Sequence, residues 1–177
     1  MASRSRLLTN PAMNQIINNV GPTKSAVISD CGCYRYKLER RWSADKRAVC
    51  FIGLNPSTAD ANLDDPTIRR CVNYAKSWGY GKLIMVNLFA FRATRPKDMM
   101  DALDPVGSGN DAWIDAAVAE ADITIAAWGK HGSFRDRAKG MIDRHGPQYL
   151  KLNKDGSPAH PLYLKKELQP QVWLIEH

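Results

Sequence analysis

The chain has no apolar run approaching the ~18 residues that a membrane-spanning helix requires, and its first residues lack a signal peptide's apolar core. Both absences point to a cytoplasmic protein with no membrane partner. There is no internal repeat and no low-complexity segment. Cysteine is scarce, at four residues: Cys31, Cys33, Cys50 and Cys71. An iron–sulfur cluster would need all four, yet Cys50 lies in an apolar strand and Cys71 in a predicted helix, so reduced, mostly buried thiols are the better reading. No tight His/Cys spacing marks a metal site, so neither metal nor cofactor is expected; an acidic loop keeps divalent-cation binding as an alternative. Acidic residues number 18 against 25 basic ones, giving a net charge of +7 and a pI near 9.3. That balance fits an anionic partner such as nucleic acid, with simple solubility as the plain alternative.

What is present suits one domain. The 177 residues, 44% of them apolar and 24% charged, can build a full core, with residues 1–30 as an N-terminal arm and a short helix (Met13 to Val20). The chain is organised around Ala48-Val49-Cys50-Phe51-Ile52-Gly53-Leu54-Asn55-Pro56-Ser57-Thr58-Ala59-Asp60, where an apolar run passes through Gly53 into polar turn chemistry. This reads as a buried strand whose carboxyl end opens a pocket, the place where open α/β sheets bind ligands. Gly53 lets backbone approach a ligand closely, and Asn55 offers one acceptor and two donors at the tip. An ordinary turn is the alternative.

The alternation from Tyr34 to Trp42 predicts a half-exposed strand, with Tyr36, Leu38 and Arg40 on one face and Arg35, Lys37 and Glu39 on the other, hairpin-paired to the anchor strand through Ser43–Lys46. After the anchor, Asp60, Asp64 and Asp65 share a loop, and Pro66-Thr67 opens a helix to about Trp78, with Asp65 placed to cap it. A second apolar strand, Leu83 to Phe89, carries Asn87 near its end; a buried Asn either satisfies backbone or reads a ligand. Phe91-Arg92-Ala93-Thr94-Arg95 combines aromatic and basic residues, as suits a nucleobase stacked beside its phosphate. Helices follow over Lys97–Leu103 and Asn110–Ala121. A third strand, Asp122–Gly129, comes next, then a basic helix from Ser133 to His145 and a short strand, Tyr149–Leu152. The alternation predicts an α/β three-layer sandwich around a central, mainly parallel sheet of four or five strands.

Four strand-end motifs, Phe51-Ile52-Gly53-Leu54-Asn55-Pro56, Leu83 to Asn87, Ile123 to Gly129 and His160-Pro161, occur in the order that resembles the uracil-DNA glycosylase superfamily. A closer resemblance, over nearly the whole chain, is to an uncharacterised family of bacterial and phage proteins. It rests on Tyr34-Arg35-Tyr36, Arg41-Trp42, Gly53 to Asp60, Asp65 to Cys71, Asn87 to Thr94 and His160 to Leu164. The glycosylase resemblance implies a hydrolase that flips a modified or mismatched pyrimidine out of DNA, duplex or single-stranded, and cleaves its N-glycosidic bond. Asn55 would position the water and His160 would donate to the base oxygen, with Asp60 as a further catalytic carboxylate. The base would lie against Gly53, Leu54, Ser57, Asn87, Phe89 and Phe91. Ser57 stands where uracil-specific members carry a bulky aromatic, so the pocket is expected to take a C5-substituted ring. Arg69, Arg92, Lys130, Lys165 and Lys166 would hold phosphates, and Leu162 or Tyr163 would fill the gap in the base stack. A nucleic-acid-binding module that has lost hydrolysis, and a hydrolase of free nucleotides or RNA, are the other readings. A monomer is the favoured state.

Overall fold

The run from Ala48 to Gly53 forms a strand buried at every position, because both of its faces are covered by helices. The structure, a computed structural model, describes residues 22–43 and 47–174. Six strands, β1 (Thr23–Ile28), β2 (Arg35–Arg41), β3 (Ala48–Gly53), β4 (Lys82–Asn87), β5 (Ile123–Ala126) and β6 (Gln148–Tyr149), form one sheet in the order β1-β2-β4-β3-β5-β6. The helices are α1 (Pro66–Ser77), α2 (Pro96–Met100), α3 (Asn110–Glu120) and α4 (Arg137–His145). Val49, Phe51, Leu83 and Met85 face α1, while Ala48, Cys50, Ile52, Ile84 and Val86 face α3 and α4. The period-2 alternation along each strand thus builds two cores, an arrangement compatible with a three-layer α/β fold.

The sheet is mixed and six-stranded, which corrects the expectation of a mainly parallel sheet of four or five. β3 runs parallel to β4 and β5, and β5 parallel to β6, but β1 and β2 are antiparallel additions. β2 pairs with β4 and β1 rather than with β3, so a hairpin with the anchor strand does not form. Residues 23–28, expected within an arm, form β1, whose exposed start lies at the sheet edge. The helix expected from Met13 to Val20 falls outside the described residues. The basic segment after β5 begins as a kinked 3-10 stretch (Lys130–Asp136) before α4.

β2 carries an irregularity that matters for the site. Its pairing with β1 shifts between Val27, opposite Lys37, and Ile28, opposite Arg35, so Tyr36 is an extra residue. Such a bulge inverts the alternation on one side of it. Tyr36 stacks on Trp113 of α3, whereas Arg35 turns to the α1 face and donates to the Ala59 carbonyl. At the other end of the sheet, Lys37 and Lys82 pair with Glu39 and Glu120, tying β2, β4 and the end of α3 together. Among the described helices none is long and apolar enough to cross a membrane.

Candidate functional site

β3 leads through α1 to β4 on one side of it, and β4 leads back through α2 and α3 to β5 on the other, so β3 lies at a topological switch point. Here the carboxyl ends of adjacent strands part and leave a crevice. A cavity of about 580 Å³ occupies it, lined by Gly53 at the end of β3 and Asn55 beyond it, Asn87 at the end of β4, and Trp128 and Gly129 after β5.

Gly53 and Asn87 are partners in the parallel register. A Cβ on Gly53 would lie 2.7 Å from Asn87 Nδ2, so glycine leaves the space that the Asn87 amide occupies. Asn87 is 4% exposed. Its Oδ1 accepts from Arg35 Nη2 at 3.4 Å, and its backbone is gripped from the far layer. Asn110 Nδ2 donates to the Asn87 and Leu88 carbonyls at 3.0 and 3.1 Å, and the Arg137 guanidinium donates to the Leu88 carbonyl. Arginine has only donors, so the amide atom facing it is the oxygen. Asn87 Nδ2 consequently faces away from the pair and donates to no acceptor among the described residues.

Asn55 uses its amide nitrogen on the Ala93 and Pro56 carbonyls, at 2.9 and 3.1 Å. These bonds fix the side chain and leave Oδ1 as an acceptor on the cavity wall. His160 reaches the same cavity from the loop after β6. Gly129 N–H donates to the Pro158 carbonyl and Ala159 N–H to the Lys151 carbonyl, which fastens the loop to the sheet. Gly129 does so at φ 71, ψ −168, a conformation accessible essentially to glycine. His160 Nδ1 accepts from Leu162 N–H at 3.3 Å, so the neutral ring carries its proton on Nε2. Burial lowers its pKa below the ordinary value, with Asp65 acting in the opposite direction.

Asp65 caps α1, its Oδ1 accepting from Ile68 N–H at 2.9 Å, and it also lines the cavity. The capping role therefore leaves its other oxygen for chemistry. Arg35 is 2% exposed and lines the cavity as well; burial pulls its pKa down to about 10. The residues that sequence reasoning missed are Arg35, Asp65 as a cavity residue, Trp128 and His131. Trp128 lies within the strand-end motif Ile123 to Gly129 and Arg35 within Tyr34-Arg35-Tyr36, and Asp65 has the Asp-Pro-Thr-Ile start of a helix pointing at the anchor loop.

Of the residues expected at the site, Asn55, His160, Gly53, Leu54, Ser57, Asn87, Lys130, Leu162 and Tyr163 all line this cavity. Tyr163 is 88% exposed at its rim. Asp60 does not line it: its Oδ1 accepts from the N–H groups of Asn62 and Leu63, both at 2.8 Å, and is consumed in a turn. Asp64 pairs with Arg40 at 2.7 Å. Phe89 is fully buried against Phe134, and Phe91 packs edge-on to Tyr34, so neither offers a face to a ring in the cavity. Arg69 donates to the Asp64 carbonyl and Arg92 to the Gly32 carbonyl; neither lines the cavity. Lys165 is exposed, and Lys166 lies beside Arg70 and Tyr74 in a separate groove along α1. Cys50 and Cys71 are buried, but Cys31 and Cys33 are exposed free thiols, which corrects half of the buried-thiol reading.

The fold and site define an α/β protein with a cavity at the carboxyl ends of its central strands. The chain belongs to the family described as protein of unknown function (DUF1643), whose model matches residues 35–162. That span begins at Arg35 and ends just past His160. Comparison with curated proteins and with solved structures gives no match.

Proposed function

We propose that this protein is a glycosylase-like hydrolase that cleaves the N-glycosidic bond of a modified or mismatched pyrimidine in DNA. The observation that carries the reading is the meeting of Asn55, Asn87 and His160 in one cavity at a switch point, since these are the three residues that the resemblance to uracil-DNA glycosylases assigns to water, base edge and base oxygen. The finer likeness of the sheet to that superfamily belongs to the same proposal.

The chemistry requires that an anionic pyrimidine and an oxocarbenium-like sugar both be steadied, and that one water attack. Asn55 Oδ1 accepts from that water and holds it in place. His160, neutral and with its proton on Nε2, donates to the base oxygen as charge develops there, without the competing strength of a fully charged donor in the ground state. Asn87 Nδ2 donates to the base edge. Asp65 supplies the carboxylate that steadies the cationic sugar and so takes the place of Asp60, expected from sequence as a further catalytic carboxylate. Ser57 leaves room for a substituent at C5, and exposed Tyr163 with Leu162 stands where a flipped base would leave a gap.

The test is mass-spectrometric detection of released base from oligonucleotides carrying uracil, thymine mismatches or C5-substituted pyrimidines. Release by the wild type, reduced about 100-fold or more by Asn55→Ala and by His160→Ala, is the expected outcome. No release from any of these substrates overturns the proposal.

A further inference from the structure

Three cationic side chains among the described residues are buried: Arg35, Arg40 and Lys82. Arg40 has Asp64 within ion-pair distance, and Lys82 has Glu39 and Glu120. Arg35 has no carboxylate within that distance among the described residues; Asp65 and Asp60 act on it only from farther away. Of its five N–H groups, one donates to the Ala59 carbonyl at 2.9 Å and one makes the long 3.4 Å contact to Asn87 Oδ1. Nε is buried without a partner. A buried charge this poorly compensated is unfavourable unless a counter-ion completes it, and this guanidinium sits against the cavity. The side chains around it give the same sign. Arg35 and Lys130 line the cavity against the single carboxylate of Asp65, and Asn87, whose Oδ1 is taken by Arg35, has only its Nδ2 donor left for a ligand.

We propose that Arg35 is the counter-charge for an anionic group of the ligand, seated against Arg35 in the cavity, with Asn87 Nδ2 as a further donor to the same ligand. The inference rests on the cavity being the ligand site of the preceding reading, but not on hydrolysis. Within that reading the occupant is a pyrimidine carrying a carboxylate at C5, beside a 4-oxo group that Asn87 Nδ2 reads. A ring with only donors along this edge finds no acceptor there and is rejected, because Arg35 already occupies Asn87 Oδ1. The same chemistry is met by the phosphate of a nucleotide, and ligand pairs separate the two sources.

Calorimetric binding to the full chain tests this with two pairs: 5-carboxyuracil against uracil, and deoxyuridine monophosphate against deoxyuridine. The wild type is expected to prefer the anionic member of the first pair about tenfold or more, and Arg35→Gln, which keeps an amide donor, to abolish the preference. A preference confined to the second pair, and likewise lost in Arg35→Gln, keeps Arg35 as the counter-charge and moves the anion from the base to the phosphate. Binding with no preference in either pair, no binding of any of the four, or a preference that survives Arg35→Gln overturns the inference. Thermal melting monitors folding. Should Arg35→Gln not fold, Arg35→Lys takes its place: a point charge on a shorter reach is expected to weaken the anion preference several-fold, and an unchanged preference overturns the inference. Base release without an anion preference removes this inference alone, and an anion preference without base release removes the hydrolytic reading alone.

Discussion

Asn87 fits because its neighbour on β3 has no side chain. Replacing Gly53 with alanine puts a methyl group 2.7 Å from Asn87 Nδ2, and since that amide is held by Arg35 and its backbone by Asn110, the adjustment falls on the part facing the ligand. Gly53→Ala is expected to lower kcat/KM for base release by roughly 100-fold, as displacements of about 1 Å do, measured beside a melting curve that separates this from unfolding. Asp65 allows a cleaner division. Asp65→Asn keeps an N-cap acceptor and Asp65→Ala does not, so only the alanine variant should lose about 1 kcal/mol of stability by urea titration, while both should lose activity if the carboxylate steadies the sugar. Equal activity of Asp65→Asn and wild type would assign Asp65 to the helix alone. Asn55 and Asn87 were legible in the sequence because a polar residue at the end of an apolar strand must find a partner or a ligand, and His160 through the His160-Pro161 motif of the resemblance. Arg35 was not, since nothing in Tyr34-Arg35-Tyr36-Lys37 announces a bulge. Asp60 misled because a carboxylate that caps its own turn has the same spacing from the strand as one that faces a pocket.

At the scale of elements, the strands and helices followed from periodicity, while their partners did not. β2 has the alternation of an edge strand, and both its pairing with β4 and the strand β1 outside it depend on residues far apart in sequence. Arg40 shows what that placement does. From β2 it reaches the loop between β3 and α1, donating to Asp64 and to the carbonyls of Asp60 and Leu63, so the loop that delivers Asp65 is set by the strand two positions away in the sheet. Arg40→Met keeps the apolar stem and removes these bonds. The expected loss is about 2 kcal/mol in urea unfolding, together with weaker ligand binding, because Asp65 loses its fixed approach. A stability loss with unchanged binding would show that α1 alone positions Asp65. The short 3-10 stretch after β5 depends likewise on one residue: a Cβ on Gly132 would lie 2.1 Å from the Trp128 ring, which lines the cavity.

For the molecule as a whole, two observables follow from burial. In the native state a thiol reagent should titrate Cys31 and Cys33 rapidly and reach Cys50 and Cys71 only on unfolding, since both inner thiols are buried and Cys50 is pushed up to about 12. Early reaction of all four would show that the sheet opens locally. The pH response has two limbs. His160 is lowered by burial from its ordinary value near 6.5, so its contribution to stability is fully present above that value and declines as pH falls through the lowered pKa, where protonation also removes the acceptor for Leu162 N–H. Base release should fall on the same limb, and His160→Leu should remove the limb from the stability profile. Further into acid, Glu39 and Glu120 act: burial raises them, but their bonds to Lys37 and Lys82 leave both net lowered from the ordinary value near 4.5. Their contribution is present above that value and lost below it.

The wall that brings His160 to the cavity arrives last along the chain. All six strands, with Arg35, Asn55 and Asn87, lie before Leu150, and the turn from Asn153 to Gly156 is exposed. Beyond it the chain lies across the body through a handful of separate bonds: Pro158 accepts from Gly129, Gln171 pairs with Tyr149, Leu168 accepts from Trp78 and Pro147 from Trp173. A chain cleaved in that turn would therefore divide into a scaffold with an open, incomplete crevice and a peptide that carries the missing imidazole. Mixing the two pieces would make the proposed base release a titratable quantity, switched on by reassembly of the two segments.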